Sequence, residues 1–148
     1  YGNLFYLVNP REVNGTSTTR GGTASASAKK YNTDVMSVPD LYMMRGGIAY
    51  MVNRFTFSGG VRMEGLPSTD LIGGSRGFRR PGYIISAEPS ITYVAKKMSF
   101  NLGVPVAIAR NRTQNDSDKR RSADTGTHVQ GDAAFADYLV SAGVTFRL

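Results

Sequence analysis

The sequence predicts an all-β chain folded as an antiparallel up-and-down meander, and three observations carry that expectation. Apolar and polar residues alternate with period two through several long segments, as they do when a strand shows one face to each side of a sheet. Short and long connections between those segments alternate strictly. No segment repeats its apolar residues at helical spacing.

Taken in order, Tyr1 to Asn9 reads as a first strand with a weak pattern. From Tyr42 to Val52 the even positions carry Tyr42, Met44, Gly46, Ile48, Tyr50 and Val52. Phe55 to Glu64 sets Phe55, Phe57, Val61 and Met63 against Thr56, Ser58, Arg62 and Glu64. Tyr83 to Val94 places Tyr83, Ile85, Ile91 and Tyr93 on one side. Met98 to Ile108 alternates Met98, Phe100, Leu102, Val104, Val106 and Ile108 with small or polar residues. The last segment runs Ala136, Tyr138, Val140, Ala142, Val144, Phe146 and Leu148. Asn53-Arg54 and Lys96-Lys97 are two-residue gaps between matched runs, hence tight hairpins. The connections 11–39, 66–82 and 111–133 are long and polar, and strict alternation puts them all at one end of the sheet. Pro89 and Pro105 fall inside two of the strands and lack the N–H a ladder needs, so a bulge or break is expected beside each.

Composition narrows the classes. At 148 residues, 41% hydrophobic and 20% charged, the chain is a single domain or fragment (1–148) and too apolar for a disordered one. Its longest uncharged stretch, Met98 to Ala109, is too short for a membrane-spanning helix. The absence of cysteine excludes disulfides and thiolate metal sites. The net charge of +7 is scattered and not gathered into an aromatic-studded face, which argues against nucleic acid.

Connections of about 17 to 29 residues are uncommon in compact soluble domains. Strands of 9–11 residues with short turns at one end and long loops at the other are the pattern of a transmembrane β-barrel. The ending Tyr138-Leu139-Val140-Ser141-Ala142-Gly143-Val144-Thr145-Phe146-Arg147-Leu148 carries a resemblance: the chain looks like the C-terminal portion of a Gram-negative outer-membrane β-barrel protein, porin- or transporter-like. The resemblance covers Asp40 to Leu148. It implies an outer-membrane location, short periplasmic turns, long extracellular loops and passage of small solutes. It also implies partners: outer-membrane lipid and lipopolysaccharide, and the barrel assembly machinery reading Phe146 and Leu148. The final residue is Leu148 where the family pattern has an aromatic, so Phe146 must supply that ring. Barrels of this type start at eight strands and this chain offers about six, so missing N-terminal strands or an oligomer would close it. Two alternatives remain: a structural or adhesive barrel acting through its loops, and a soluble β-sandwich or ligand-binding barrel.

Parity turns Arg45, Arg62, Glu64, Glu88 and Asp137 toward the barrel lumen. Around the Asn53-Arg54 turn, Arg45 falls directly opposite Arg62, an unfavourable like-charge pair. Glu64 and Glu88 are the compensating candidates, either as an ion-pair plug or as a selectivity ring. Catalysis finds no constellation, because the one histidine, His128, sits in a polar loop. No cofactor motif and no metal-ligand spacing is present; Gly73-Gly74-Ser75-Arg76-Gly77 reads as a flexible loop tip. The long loops are cationic, and Arg76, Arg79, Arg80, Lys119, Arg120 and Arg121 are candidate contacts for phosphate-bearing lipopolysaccharide or an anionic solute.

Overall fold

In the computed structural model the described residues are 1–132 and 135–147. They form mostly antiparallel β-sheet curled into a half-barrel, with little helix. The strands are β1 (Gly2–Leu7), β2 (Leu41–Val52), β3 (Phe55–Leu66), β4 (Gly82–Ala87), β5 (Ser90–Val94), β6 (Met98–Gly103), β7 (Val106–Arg112) and β8 (Ser141–Phe146). Two helices interrupt the loops, α1 (Ala26–Lys30) and α2 (Asp116–Thr125).

Eight strands make six passes of the meander. β3 pairs first with β4 and then with β5 in one unbroken register, Val61 opposite Ala87 and Ser58 opposite Ser90. β6 and β7 likewise continue one another. The two breaks fall at Pro89 and Pro105. Proline brings no N–H to the ladder but keeps its acceptor: Val104 N–H donates to Pro89 O at 3.0 Å and Leu139 N–H to Pro105 O at 3.0 Å. A bulge in β7 adds to this, since Ile85 faces Ala109 while Ser86 faces Ala107, leaving Ile108 unpaired.

Both tight turns form where the sequence places them. Val52 pairs with Phe55 across Asn53-Arg54, and Asn53 takes φ 52°, a left-handed value that asparagine tolerates. Ala95 N–H bonds Met98 O across Lys96-Lys97. The sheet leaves β1 and β8 as its outermost strands.

The long connections are not bare polar loops. The expectation of a helix-free chain is corrected by α1 and α2. α2 buries no apolar stripe, and hydrophobic periodicity therefore could not reveal it. Its ends specify it instead: Asn115 and Asp118 form a capping box, two acids sit in the first turn, and Gly126 closes it at φ 69°. The glycine-rich tip around Ser75 is also corrected from flexible to anchored. Asp70 N–H donates to Ser75 Oγ at 3.0 Å, Gly77 is buried, and Arg76 pairs with Glu12 of the first loop.

Candidate functional site

The direct cross-strand partners divide the sheet into two chemically distinct faces. Phe57 faces Ile91, which faces Leu102, which faces Ala142; Phe55 faces Tyr93, then Phe100, then Val144. Many side chains of this face are open to the surroundings, Ile48 (83%) and Leu4 (78%) most of all. The opposite face carries the rows Ser58, Ser90, Gly103, Ser141 and Thr56, Thr92, Asn101, Gly143. This polar face is concave and encloses a cleft of about 490 Å³ lined by Arg45, Ser58, Arg62, Glu88, Ser90 and Asn101, among others.

Arg45 and Arg62 are direct partners in the β2–β3 ladder. Glu88 joins them from the break between β4 and β5. Proline at 89 biases its predecessor toward extended backbone, and Glu88 N–H still donates to Gly60 O at 2.9 Å. The register sets Glu88 beside Gly60, which pairs with Gly47, so neither neighbouring strand puts a side chain of its own in that row. A Cβ added at Gly47 or Gly60 would meet the Tyr1 hydroxyl at 2.8 or 2.7 Å, because the Tyr1 ring lies over this glycine floor. The vacated row lets one carboxylate reach across two strands: Glu88 Oε1 is 3.2 Å from Arg45 Nη1 and 4.0 Å from Arg62 Nη1. Its second oxygen, Oε2, is buried and has no hydrogen-bond partner.

Glu64 does not bridge to Arg45. It pairs with Arg62 on its own strand, two residues away, and Glu88 alone links the two arginines. Asp137 stays outside the cluster; it is 77% exposed and pairs with Arg110. With two guanidiniums and one shared carboxylate, the cluster is a charged patch on the cleft wall beside rows of hydroxyl and amide groups. It can orient or select charge. It holds no nucleophile–base pair, and His128 sits exposed in a loop against Gln130. Among the described residues no group of three metal-ligating side chains converges.

The basic loop residues separate into two kinds. Arg79 is corrected from an exposed contact to a buried strut: its side chain is 0% exposed, as is that of its partner Asp70. Arg79 Nη1 and Nη2 donate to the two Asp70 oxygens at 2.8 and 2.9 Å, and Nη2 also donates to Ser37 Oγ at 2.6 Å. Arg76 is held by Glu12 and Arg120 by Asp116. Arg80, Lys119 and Arg121 have no carboxylate within ion-pair distance among the described residues. Phe146 lies in β8 opposite Met98, while Leu148 is outside the described residues.

Sequence reasoning missed the knot below these loops. Asp40, fully buried, accepts from Tyr6 Oη (2.9 Å), Asn9 N–H (2.6 Å) and Leu71 N–H (3.0 Å), and Asp40 N–H donates to Asp70 Oδ1 at 3.0 Å. Burial pushes the Asp40 carboxyl upward, but the Asn9 and Leu71 amides, the Tyr6 hydroxyl and the Arg79 charge outweigh it and hold its pKa below the ordinary value. Across the first and third loops, Tyr31 Oη donates to Asp124 at 2.9 Å beside the Lys30–Asp124 pair. Nothing in the sequence marks Asp40 or Asp70, since both look like ordinary loop-end aspartates. The chain matches no protein-family model, no curated protein and no solved structure.

Proposed function

We propose that this chain forms part of a Gram-negative outer-membrane β-barrel that passes small solutes without catalysing a reaction. The observation that carries the reading is the separation of faces. The convex side exposes large apolar side chains on β1, β2, β3, β6, β7 and β8, among them Leu4, Ile48, Phe57, Phe100, Val106 and Val144, with Phe5, Leu7 and Met51 exposed on the other face, while Ile84 is the one buried hydrophobic side chain among the described residues. A monomer in water rarely shows an apolar area so extended, and a soluble sandwich or ligand-binding barrel would need an apolar core between its sheets. Lipid against the convex face and water against the concave face satisfy both. The outermost strands β1 and β8 would then pair with further strands, from the same polypeptide or a second copy, to close the lumen. Lipid, lipopolysaccharide and the assembly machinery follow as partners from the same reading.

The test is extraction followed by reconstitution. The chain, in its full-length gene product, should sediment with outer membranes, require detergent, and give discrete conductance steps in planar bilayers. Solubility without detergent would overturn the membrane assignment. A second reading has its own support: the interlocked long loops, with Asp40, Asp70 and Arg79 buried between them, suit a structural or adhesive barrel that presents a rigid surface. Membrane insertion without conductance would favour it.

A further inference from the structure

We propose that the long-loop end holds a binding site for a phosphorylated sugar. The inference deepens the proposed role of the loops but requires only that they fold, not that the sheet sits in lipid. Its basis is a cleft of about 770 Å³ where all three long connections meet. Four arginines line it: Arg20 from the first connection, Arg79 and Arg80 from the second, and Arg121 from α2 in the third; Arg79 is committed to Asp70, which leaves Arg20, Arg80 and Arg121.

These three differ from their basic neighbours. Lys30, Arg76, Arg79, Arg112 and Arg120 each have a carboxylate partner. Arg20, Arg80 and Arg121 have none among the described residues, although Asp118 and Asp132 line the same cleft. Asp132 is neutralised by Arg112, while Asp118, held by neutral groups in the α2 capping box, keeps its charge, so three unpaired arginines face one carboxylate. The cleft therefore keeps uncompensated positive charge. Arg11 and Lys29 also have no carboxylate partner among the described residues, but they do not line the cleft, and Arg11 serves as the comparison.

Geometry favours an oxyanion with a sizeable polar body. Arg80 lies over the Phe78 ring at 5.5 Å and Arg121 over the Tyr31 ring at 5.7 Å, so each guanidinium rests on a flat face, its N–H edge without a carboxylate partner among the described residues. That edge suits the paired oxygens of a phosphate. Arg20 is fixed at φ 49°, a backbone value an arginine adopts only at a cost. The volume lies in the range of small-molecule sites and far exceeds one phosphate. Ser17, Ser117 and Gln130 add hydroxyl and amide groups to the wall. Single-stranded nucleic acid fits less well, because the two rings that could stack bases are covered by the arginines. A phosphomonoester dianion held by three guanidiniums, with its sugar hydroxyls against the polar wall, uses every feature. The same chemistry occurs on a free sugar phosphate and on a phosphorylated glucosamine lipid headgroup.

Titration calorimetry on the folded chain in detergent tests this with glucose 6-phosphate, glucose and inorganic phosphate. Glucose 6-phosphate should bind saturably and glucose roughly tenfold or more weaker. R121Q should weaken binding about tenfold, R20Q/R80Q/R121Q should abolish it, and R11Q should stay within about twofold. Far-UV circular dichroism checks the fold of each variant, and R121Q decides should the triple variant unfold. Flotation with lipid A vesicles against phosphatidylglycerol vesicles separates the sources. Capture by lipid A that glucose 6-phosphate displaces assigns the headgroup, and binding of the soluble sugar phosphate alone assigns a solute. Equal binding by wild type and R121Q, equal heats with glucose, or no binding of either phosphate probe would overturn the site. A chain that binds glucose 6-phosphate yet never conducts leaves this inference standing while the passage reading fails.

Discussion

The strand wall and the loop assembly invert the usual arrangement of a folded domain. In the wall, large apolar side chains such as Leu4, Ile48 and Tyr50 are exposed, and the ladders carry the architecture. In the loops, the groups taken from solvent are charged or polar: Asp40, Asp70, Arg79, Asn115 and Asp118. Charged residues are almost never buried unless paired or hydrogen-bonded; here Asp70 and Arg79 pair, while Asp40 and Asp118 are held by hydrogen bonds from neutral groups. The comparison teaches that the two regions are ordered by different forces. The loop end depends on hydrogen bonding of a few buried ions, in which Arg79 Nε alone of that guanidinium stays without a partner, and the wall depends on whatever covers its convex face.

The largest expected effect lies in the loop knot. Arg79→Ala strands Asp70 in a dry site and should cost about 3–5 kcal/mol in denaturant unfolding. Arg76→Ala, which breaks the more exposed pair with Glu12, should cost less than about 1 kcal/mol. Comparable losses at the two positions would show that the knot does not order the loops.

The wall gives the next largest effect. Ile48→Arg should destabilise the protein by about 2–4 kcal/mol in lipid, whereas the adjacent Ala49→Arg, on the concave face, should narrow the cleft with little loss. Chemical unfolding in vesicles measures both, and equal costs would break the idea that one face alone meets lipid.

Glu88→Gln sits between the two regions and should sharpen the contrast. It leaves Arg45 and Arg62 opposed without their shared carboxylate, at about 1.5–3 kcal/mol. Reversal potentials should shift toward anions if the lumen conducts. Unchanged stability and unchanged selectivity together would remove the cluster as a functional element.

The smallest effect is acid sensitivity at Asp40. Its folded pKa is depressed, so its contribution is complete above the unfolded value of about 3.9 and is lost as pH falls through the lower folded value. Near-UV circular dichroism of the loop tyrosines should therefore hold to about pH 4 and decline below it. Asp40→Asn should flatten that step, and a wild-type decline centred near pH 6 would point to another group.

The legible parts were those written in local pattern. Period two and two-residue turns located the strands, and the turn at Asn53-Arg54 fixed the Arg45–Arg62 pairing that the ladder contains. The breaks at Pro89 and Pro105 followed from missing donors. Glu88 was named as a partner for the arginines, but its reach depended on the empty Gly47–Gly60 row beneath Tyr1. α2 was hidden because a solvated helix with capping signals and no apolar stripe leaves nothing for periodicity to detect.

By itself, then, the sequence determined strand order, register within hairpins and the assignment of residues to faces, because backbone pleating and short turns act over neighbouring residues. Only the tertiary structure decided which loop charges are struts and which stay unpaired. Arg79 and Arg80 are adjacent in sequence, yet one is enclosed against Asp70 and Ser37 while the other lines an open cleft. That difference arises from contacts between segments dozens of residues apart, where desolvation forces a charge to find a partner, and no local pattern encodes which partner arrives.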